Sequence, residues 1–151
     1  LSKMFNDYAP IGKRVCVEEI TKMLLKYPRV VAWFAGHEHR HHVAWVGSEI
    51  EEKGFWQIET ASHADWPQQS RTIEIVQSDN GEVFIALTVI DHAAGTTYDS
   101  AQTPIEMAAL SRVISANVWQ KRDALGAKHP ADWAMGAPHE RNTVLRLSAR
   151  S

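Results

Sequence analysis

Apolar residues recur at helical spacing in the first clearly patterned segment of the chain. Between Cys16 and Tyr27 they stand three or four positions apart, with charged residues between them, and this spacing gathers apolar side chains on one side of a helix. Pro28 follows, and the residue before a proline is driven out of helical geometry. The pattern therefore predicts an amphipathic helix that stops at Pro28 and that buries Cys16.

Strands are predicted over most of the following residues. Residues 30–35 form an uninterrupted apolar run that ends at Gly36, which is typical of a strand buried on both faces. The dipeptide Asn80-Gly81 separates two apolar segments and indicates a hairpin turn. The predicted strands are residues 30–35, 43–46, 54–60, 72–76, 83–90 and 143–147.

A second helix is predicted late in the chain. Thr103 is a favourable N-cap, Pro104 suits the first helical turn, and Glu106 completes a capping box. We expect this helix to reach Gln120 or Lys121, and a loop-rich segment to follow it. The elements together predict a single α+β or α/β domain with largely antiparallel strands.

Composition and charge narrow the function classes. The 151 residues carry a formal net charge of −2 and are 44% hydrophobic, a globular balance that argues against nucleic acid as the main partner. No apolar run approaches the roughly 20 residues that span a bilayer, so no membrane span is predicted. Cys16 is the single cysteine, which excludes an intrachain disulfide and a cysteine-built metal site.

The histidines carry the strongest chemical signal. Four of the eight histidines lie within six residues, at positions 37, 39, 41 and 42. In extended chain His37 and His39 point to the same side, and Gly36 permits a sharp turn before them. Imidazole is a common ligand of zinc, iron and manganese. The segment therefore predicts a metal site at the end of a buried strand, and the alternative is a polar loop that binds no metal.

Other polar residues have weaker assignments. His41, His63 and Asp65 are candidates for the mouth of a substrate site, because the loop after residues 54–60 is expected to return beside Gly36. The alternatives are ordinary surface for His41 and a structural turn for the other two. Asp91 and its neighbour His92 are predicted to lie in a surface loop.

A family resemblance rests on these same segments. Residues 30–39, Val-Val-Ala-Trp-Phe-Ala-Gly-His-Glu-His, resemble the last signature of the calcineurin-like metallophosphoesterases, a buried strand followed by Gly-His-x-His. Residues 55–63 and 65–71, with Asp-Trp-Pro-Gln-Gln-Ser-Arg in the second block, are similar to a bacterial, largely actinobacterial subgroup of that family. Residues 91–94 and 136–142 extend the similarity, which covers roughly residues 15–147.

The resemblance implies a fold and an activity. The fold would be the C-terminal part of a metallophosphoesterase-type β-sandwich flanked by helices. The activity would be phosphatase-type hydrolysis of a phosphate ester by hydroxide held on two divalent or trivalent metal ions (manganese, iron or zinc). On the family pattern His37 ligates the second metal and His39 the first.

Departures from the family pattern qualify this implication. His41 stands where the family commonly has asparagine, and the family's Asp-x-His, Gly-Asp and Gly-Asn-His motifs do not occur in residues 1–151. We therefore expect the chain to be the C-terminal portion of one catalytic domain, with its N-terminal part as the missing partner. Alone, it is expected to be inactive and to self-associate through an exposed sheet edge.

Two rival functions use the same histidines. The first is a non-catalytic histidine-rich metal-binding module built from His37, His39 and His41 with His63 or Asp65. The second is a cupin-like barrel, which also begins with His-x-His but needs a carboxylate where this chain has valine and alanine. The second is set aside on that ground.

Overall fold

The fold is given by a computed structural model that describes residues 15–48, 53–95, 97, 99–116 and 130–147. Four helices and six strands lie in these ranges. In chain order they are α1 (Val17–Leu24), β1 (Ala32–Ala35), β2 (His42–Ser48), β3 (Lys53–Glu59), β4 (Ser70–Gln77), β5 (Val83–Ile90), α2 (Pro104–Ser115), α3 (Pro130–Met135), α4 (Pro138–Arg141) and β6 (Thr143–Leu147).

Most predicted elements are confirmed. Each predicted strand occurs within a few residues of its expected position, and β6 has the predicted bounds. The hydroxyl of Thr103 accepts a hydrogen bond from the Glu106 amide at 3.3 Å, and the Glu106 carboxylate accepts one from the Thr103 amide at 2.9 Å. The extension of α2 to Gln120 or Lys121 lies outside the described residues. The loop predicted before β6 instead contains α3 and α4.

The strands form two three-stranded sheets, in the orders β1-β3-β2 and β4-β5-β6. The pair β1–β3 is parallel and the other three pairs are antiparallel. Ile58 of β3 packs against Ile85, Leu87 and Leu145 of the second sheet, and all four are buried. The two sheets thus share one apolar core. The helices and largely antiparallel strands of the described residues confirm the predicted α+β class. The sandwich of a specific family stays a prediction.

Two burial predictions are wrong, one for β1 and one for Cys16. The strand β1 is not buried on both faces: Phe34 is 48% exposed, and no residue of β1 is fully buried. Cys16 is exposed and precedes α1, in which no residue is buried. The apolar side of α1 is therefore only partly covered within the described part of the chain.

The structure bears on the prediction that the chain has no membrane span. Among the described ranges, no helix combines the length and the apolar character that crossing a bilayer would demand.

Candidate functional site

The parallel pair β1–β3 brings the two candidate segments to one edge of the first sheet. Ala35 is level with Glu59 at the ends of the two strands, and the Thr60 amide donates to the Ala35 carbonyl at 3.1 Å. His37 and His39 follow β1, and the loop with Asp65 follows β3. The carboxyl ends of adjacent parallel strands commonly flank ligand sites. The expected return of this loop beside Gly36 is confirmed.

His39 and Asp65 meet at this edge. Nδ1 of His39 is hydrogen-bonded to Oδ2 of Asp65, and both side chains are about one-third exposed. Asp65 is held in turn by the Ser62 hydroxyl, which accepts from the Asp65 amide at 3.1 Å. Because a carboxylate only accepts, the His39 proton belongs on Nδ1, and Nε2 is the nitrogen that a metal would use.

The backbone turns at the histidines rather than at the glycine. His37 has φ 75° and His39 has φ 54°, in the left-handed region that side chains other than glycine rarely adopt. Gly36 is not in that region, and a methyl group added there would meet no atom within 4 Å. The turn that Gly36 was expected to permit is made by the two histidines instead. Backbone strain of about 1–3 kcal/mol per residue is typical of functional sites.

His41 is not at a substrate mouth or on the surface. Its side chain is 0% exposed, because its two nitrogens are enclosed by groups from the loop before β4 and from β4 itself. Nε2 lies 3.2 Å from Oε1 of Gln69, and Nη2 of Arg71 lies 3.0 Å from Nδ1. Since arginine can only donate, Nδ1 accepts and Nε2 carries the proton. Burial, reinforced by the positive charge of Arg71, lowers the pKa of His41 to about 4.

A polar chain continues from His41 to α2. Gln69 donates to Oδ2 of Asp91 at 2.9 Å, and Arg112 pairs with the same carboxylate at 2.9 Å. Burial alone would raise the pKa of Asp91, but the hydrogen bonds from Arg112 and Gln69 outweigh it and lower that pKa. Asp91 is exposed, as expected, but it has a structural role that the sequence did not reveal.

A second chain runs from β2 to α4. Nδ1 of His42 is hydrogen-bonded to the Glu140 carboxylate, and Arg71 donates to the Glu140 carbonyl at 2.6 Å. Burial opposes ionisation of Glu140, yet the Ala137 amide and His42 together lower its pKa. This chain fixes α4 against β2 and β4.

The remaining predicted site residues, His37 and His63, are both exposed. Nε2 of His63 lies 2.7 Å from the Ser70 hydroxyl. Sequence reasoning missed Gln69, Arg71 and Glu140. All three lie in segments that carry the family resemblance, residues 65–71 and 136–142, but no pattern in those segments indicates the partners that they contact.

The residues at this edge could supply part of a metal site, but they do not form a complete one. An imidazole oriented by a carboxylate is the usual environment of a metal-ligating histidine. However, within residues 15–48, 53–95, 97, 99–116 and 130–147, no three histidine, cysteine or acidic side chains are grouped so that they could hold a metal. His41 adds no ligand, because both of its nitrogens are hydrogen-bonded.

Comparisons with known proteins give no family for this chain. A scan against protein-family models, a search of curated proteins and a search of solved structures each find no match. The resemblance to calcineurin-like metallophosphoesterases therefore stays a prediction from the sequence motifs.

The contact between Gly136 and His41 gives a first prediction. Gly136 has φ 68°, and a methyl group there would lie 2.4 Å from the His41 carbonyl oxygen. We expect Gly136→Ala to lower the free energy of unfolding by about 2 kcal/mol or more, from strain and from displacement of His41. Gly36→Ala is the matched control and should cost below about 0.5 kcal/mol. Urea denaturation of both variants is the measurement, and equal losses would contradict the described contact.

The buried neutral His41 gives a second prediction. Its pKa is about 4 in the folded chain against an ordinary value of 6.5, so between these values the unfolded chain binds a proton that the folded chain does not. Stability should therefore fall as the pH drops from 6.5 towards 4, by up to about 1 kcal/mol per pH unit for this group.

The measurement is urea denaturation with a chelator present across that range of pH. The wild-type chain is compared with His41→Gln, so that the contribution of all other ionisable groups cancels. This variant should be less stable at neutral pH but should show the shallower pH dependence. Identical slopes for the two proteins would mean that His41 is not buried neutral.

Proposed function

We propose that this chain contributes to the dinuclear metal centre of a phosphoesterase, with His37 and His39 as metal ligands. The observation that supports the proposal is the His39–Asp65 pair at the carboxyl ends of two parallel strands. A carboxylate on the second ring nitrogen fixes the tautomer and raises the basicity of a ligating imidazole. The left-handed backbone at both histidines adds support, since strain of this kind is concentrated at functional sites.

In this proposal the metal ions supply the chemistry, and the residues of the chain position the ions. Two metal ions at such a site would polarise the phosphoryl oxygens and activate water for in-line attack. Asp65 holds the His39 ring so that Nε2 faces outward from the carboxylate, and Ser62 holds Asp65. His37 stands two residues earlier on the same loop, and its exposure leaves it accessible to a second ion.

The proposal requires further ligands from outside the described residues. A catalytic metal normally has about three protein ligands, and this edge supplies one histidine to each ion. We propose that the other ligands, including a bridging carboxylate, come from a further part of the same catalytic domain. The uncovered apolar residues of α1 and β1 are compatible with such a part. The rival, a self-sufficient metal-binding module, is weakened because it required His41 as a ligand.

Metal affinity provides the third prediction. Cobalt titrated into the chain and followed by its absorption spectrum should bind weakly, through His37 and His39. Asp65→Asn should weaken binding about 10- to 100-fold, because it disturbs the orientation and tautomer of His39. His39→Ala should remove the signal, and His63→Ala, an exposed histidine bonded to Ser70, should leave it unchanged. Tight stoichiometric binding that survives His39→Ala would contradict the proposal.

Catalytic silence of the chain alone is the fourth prediction. With manganese or iron added, the 151-residue chain should hydrolyse neither a chromogenic phosphomonoester nor a phosphodiester, because two histidines do not fix the geometry of two ions. In a protein that also contains the remaining ligands, His39→Ala should abolish turnover. Metal-dependent turnover by the chain alone, lost in the double variant His37→Ala, His39→Ala, would show instead that this chain holds a complete site.

A further inference from the structure

An apolar cleft lies directly beside the His39–Asp65 pair. It has a volume of about 530 Å³ and is lined by the loop residues Ala64 and Asp65 on one side and by α2 on the other. Small-molecule sites typically measure about 300–1,000 Å³. Asp65 therefore belongs both to the histidine site and to the wall of this cleft.

One face of α2 makes the apolar wall. Met107, Leu110 and Ile114 line the cleft, and their spacing of three and four residues places them on the same side of the helix. Met107 is 58% exposed and Ile114 is 61% exposed. Apolar side chains that remain exposed in a depression of the surface are a common feature of ligand sites.

The cleft is braced by contacts between its two walls. The Gln68 amide donates to the Ser111 hydroxyl at 3.0 Å and to the Ala64 carbonyl at 3.1 Å. The Arg112 guanidinium lies 5.3 Å from the centre of the Trp66 ring, within the range of a cation–π contact. The loop and the helix are thus held apart at a fixed distance, and the cleft is preformed.

The charge of the side chains that line the cleft indicates which ligands it suits. The lining side chains that the structure describes include no lysine or arginine, so the cleft offers no cation to a second phosphate or to a carboxylate. The one acidic group, Asp65, is engaged by His39. What the cleft offers is apolar contact with a few hydroxyl groups from Ser111 and Ser115 at its border.

We infer that this cleft binds an apolar alkyl or aryl group of the phosphoester whose phosphoryl group lies at His37 and His39. The inference rests on the proposed function and specifies its substrate class, an ester of phosphate with a hydrophobic alcohol. Esters with several phosphates or with a charged alcohol would find no complementary charge in the cleft.

Alkylphosphonates test the inference without requiring turnover. Each methylene removed from water strengthens binding by up to about fourfold. Calorimetry of the chain with zinc present should therefore show octylphosphonate binding roughly 100-fold tighter than methylphosphonate, if about half of the octyl chain is buried. Equal affinities for the two phosphonates would overturn the inference.

Two exposed positions localise the effect without endangering the fold. Ile114→Ser and Met107→Ser should each weaken octylphosphonate binding about 5- to 10-fold and leave methylphosphonate unaffected. Ile105→Ser is the matched control, because Ile105 is 52% exposed on the same helix and is not among the residues that line the cleft. An equal loss in all three variants would overturn the inference.

The His39→Ala variant separates failure of the inference from failure of the proposed function. If the phosphonate group binds at the histidines, His39→Ala weakens both phosphonates and preserves the preference for octyl. A preference for octyl that is intact while neither phosphonate responds to His39→Ala supports the apolar site and contradicts the phosphoesterase proposal. If sedimentation shows that the wild-type chain self-associates, that Ile114→Ser abolishes this association and that octylphosphonate does not compete with it, a second copy covers the cleft and the inference is overturned.

Discussion

The buried His41 side chain is the interaction on which the arrangement of the two sheets depends. It immediately precedes β2 in the first sheet, yet its nitrogens bond to Gln69 and Arg71 at the start of the second. Its backbone amide also donates to the Ala134 carbonyl of α3 at 3.0 Å. The orientation of each hydrogen bond is fixed from both ends by ions, since Arg71 only donates and Asp91 only accepts. A buried polar chain satisfied in one direction specifies a unique arrangement of its elements.

The position of the candidate site follows from the one parallel strand pair. In the order β1-β3-β2, the segment after β1 must cross the end of β3 before it becomes β2. The histidines occupy this crossing, and the loop that leaves β3 starts from the same edge. Contact between His39 and Asp65 is therefore a consequence of topology together with the Ser62 turn. The left-handed conformations of His37 and His39 are tolerated because the neighbouring strand ends are fixed by sheet hydrogen bonds and by His41.

Local patterns in the sequence predicted what local forces decide. The capping box at Thr103 and the Asn80-Gly81 hairpin depend on adjacent residues, and both are found as expected. The burial of Cys16 and of His41 was predicted wrongly, because burial depends on which distant element packs against each residue. Periodicity shows that α1 has an apolar side, but it does not show whether another element covers that side. A histidine between two others looks like surface until the partners from β4 are known. The neighbourhood of His39 and Asp65 was predicted better. The return of the Asp65 loop beside Gly36 was expected, although the hydrogen bond between the two side chains was not.

The histidine loop and the wall of the apolar cleft are parts of one connected polar structure. Arg112 projects from α2 and pairs with Asp91, which accepts from Gln69, which in turn holds His41. Two residues before His41 lies His39, and on the other side of Arg112 lies the Trp66 ring of the loop that carries Asp65. The hydrogen-bonded chain that holds His41 therefore extends through Asp91 to Arg112, which lies in α2 and contacts this loop. A displacement of α2 would have to separate the buried Arg112 guanidinium from the Asp91 carboxylate, which is costly because it leaves the buried positive charge without its partner. The geometry of the metal-ligating loop and the width of the cleft are consequently set by a single set of interactions.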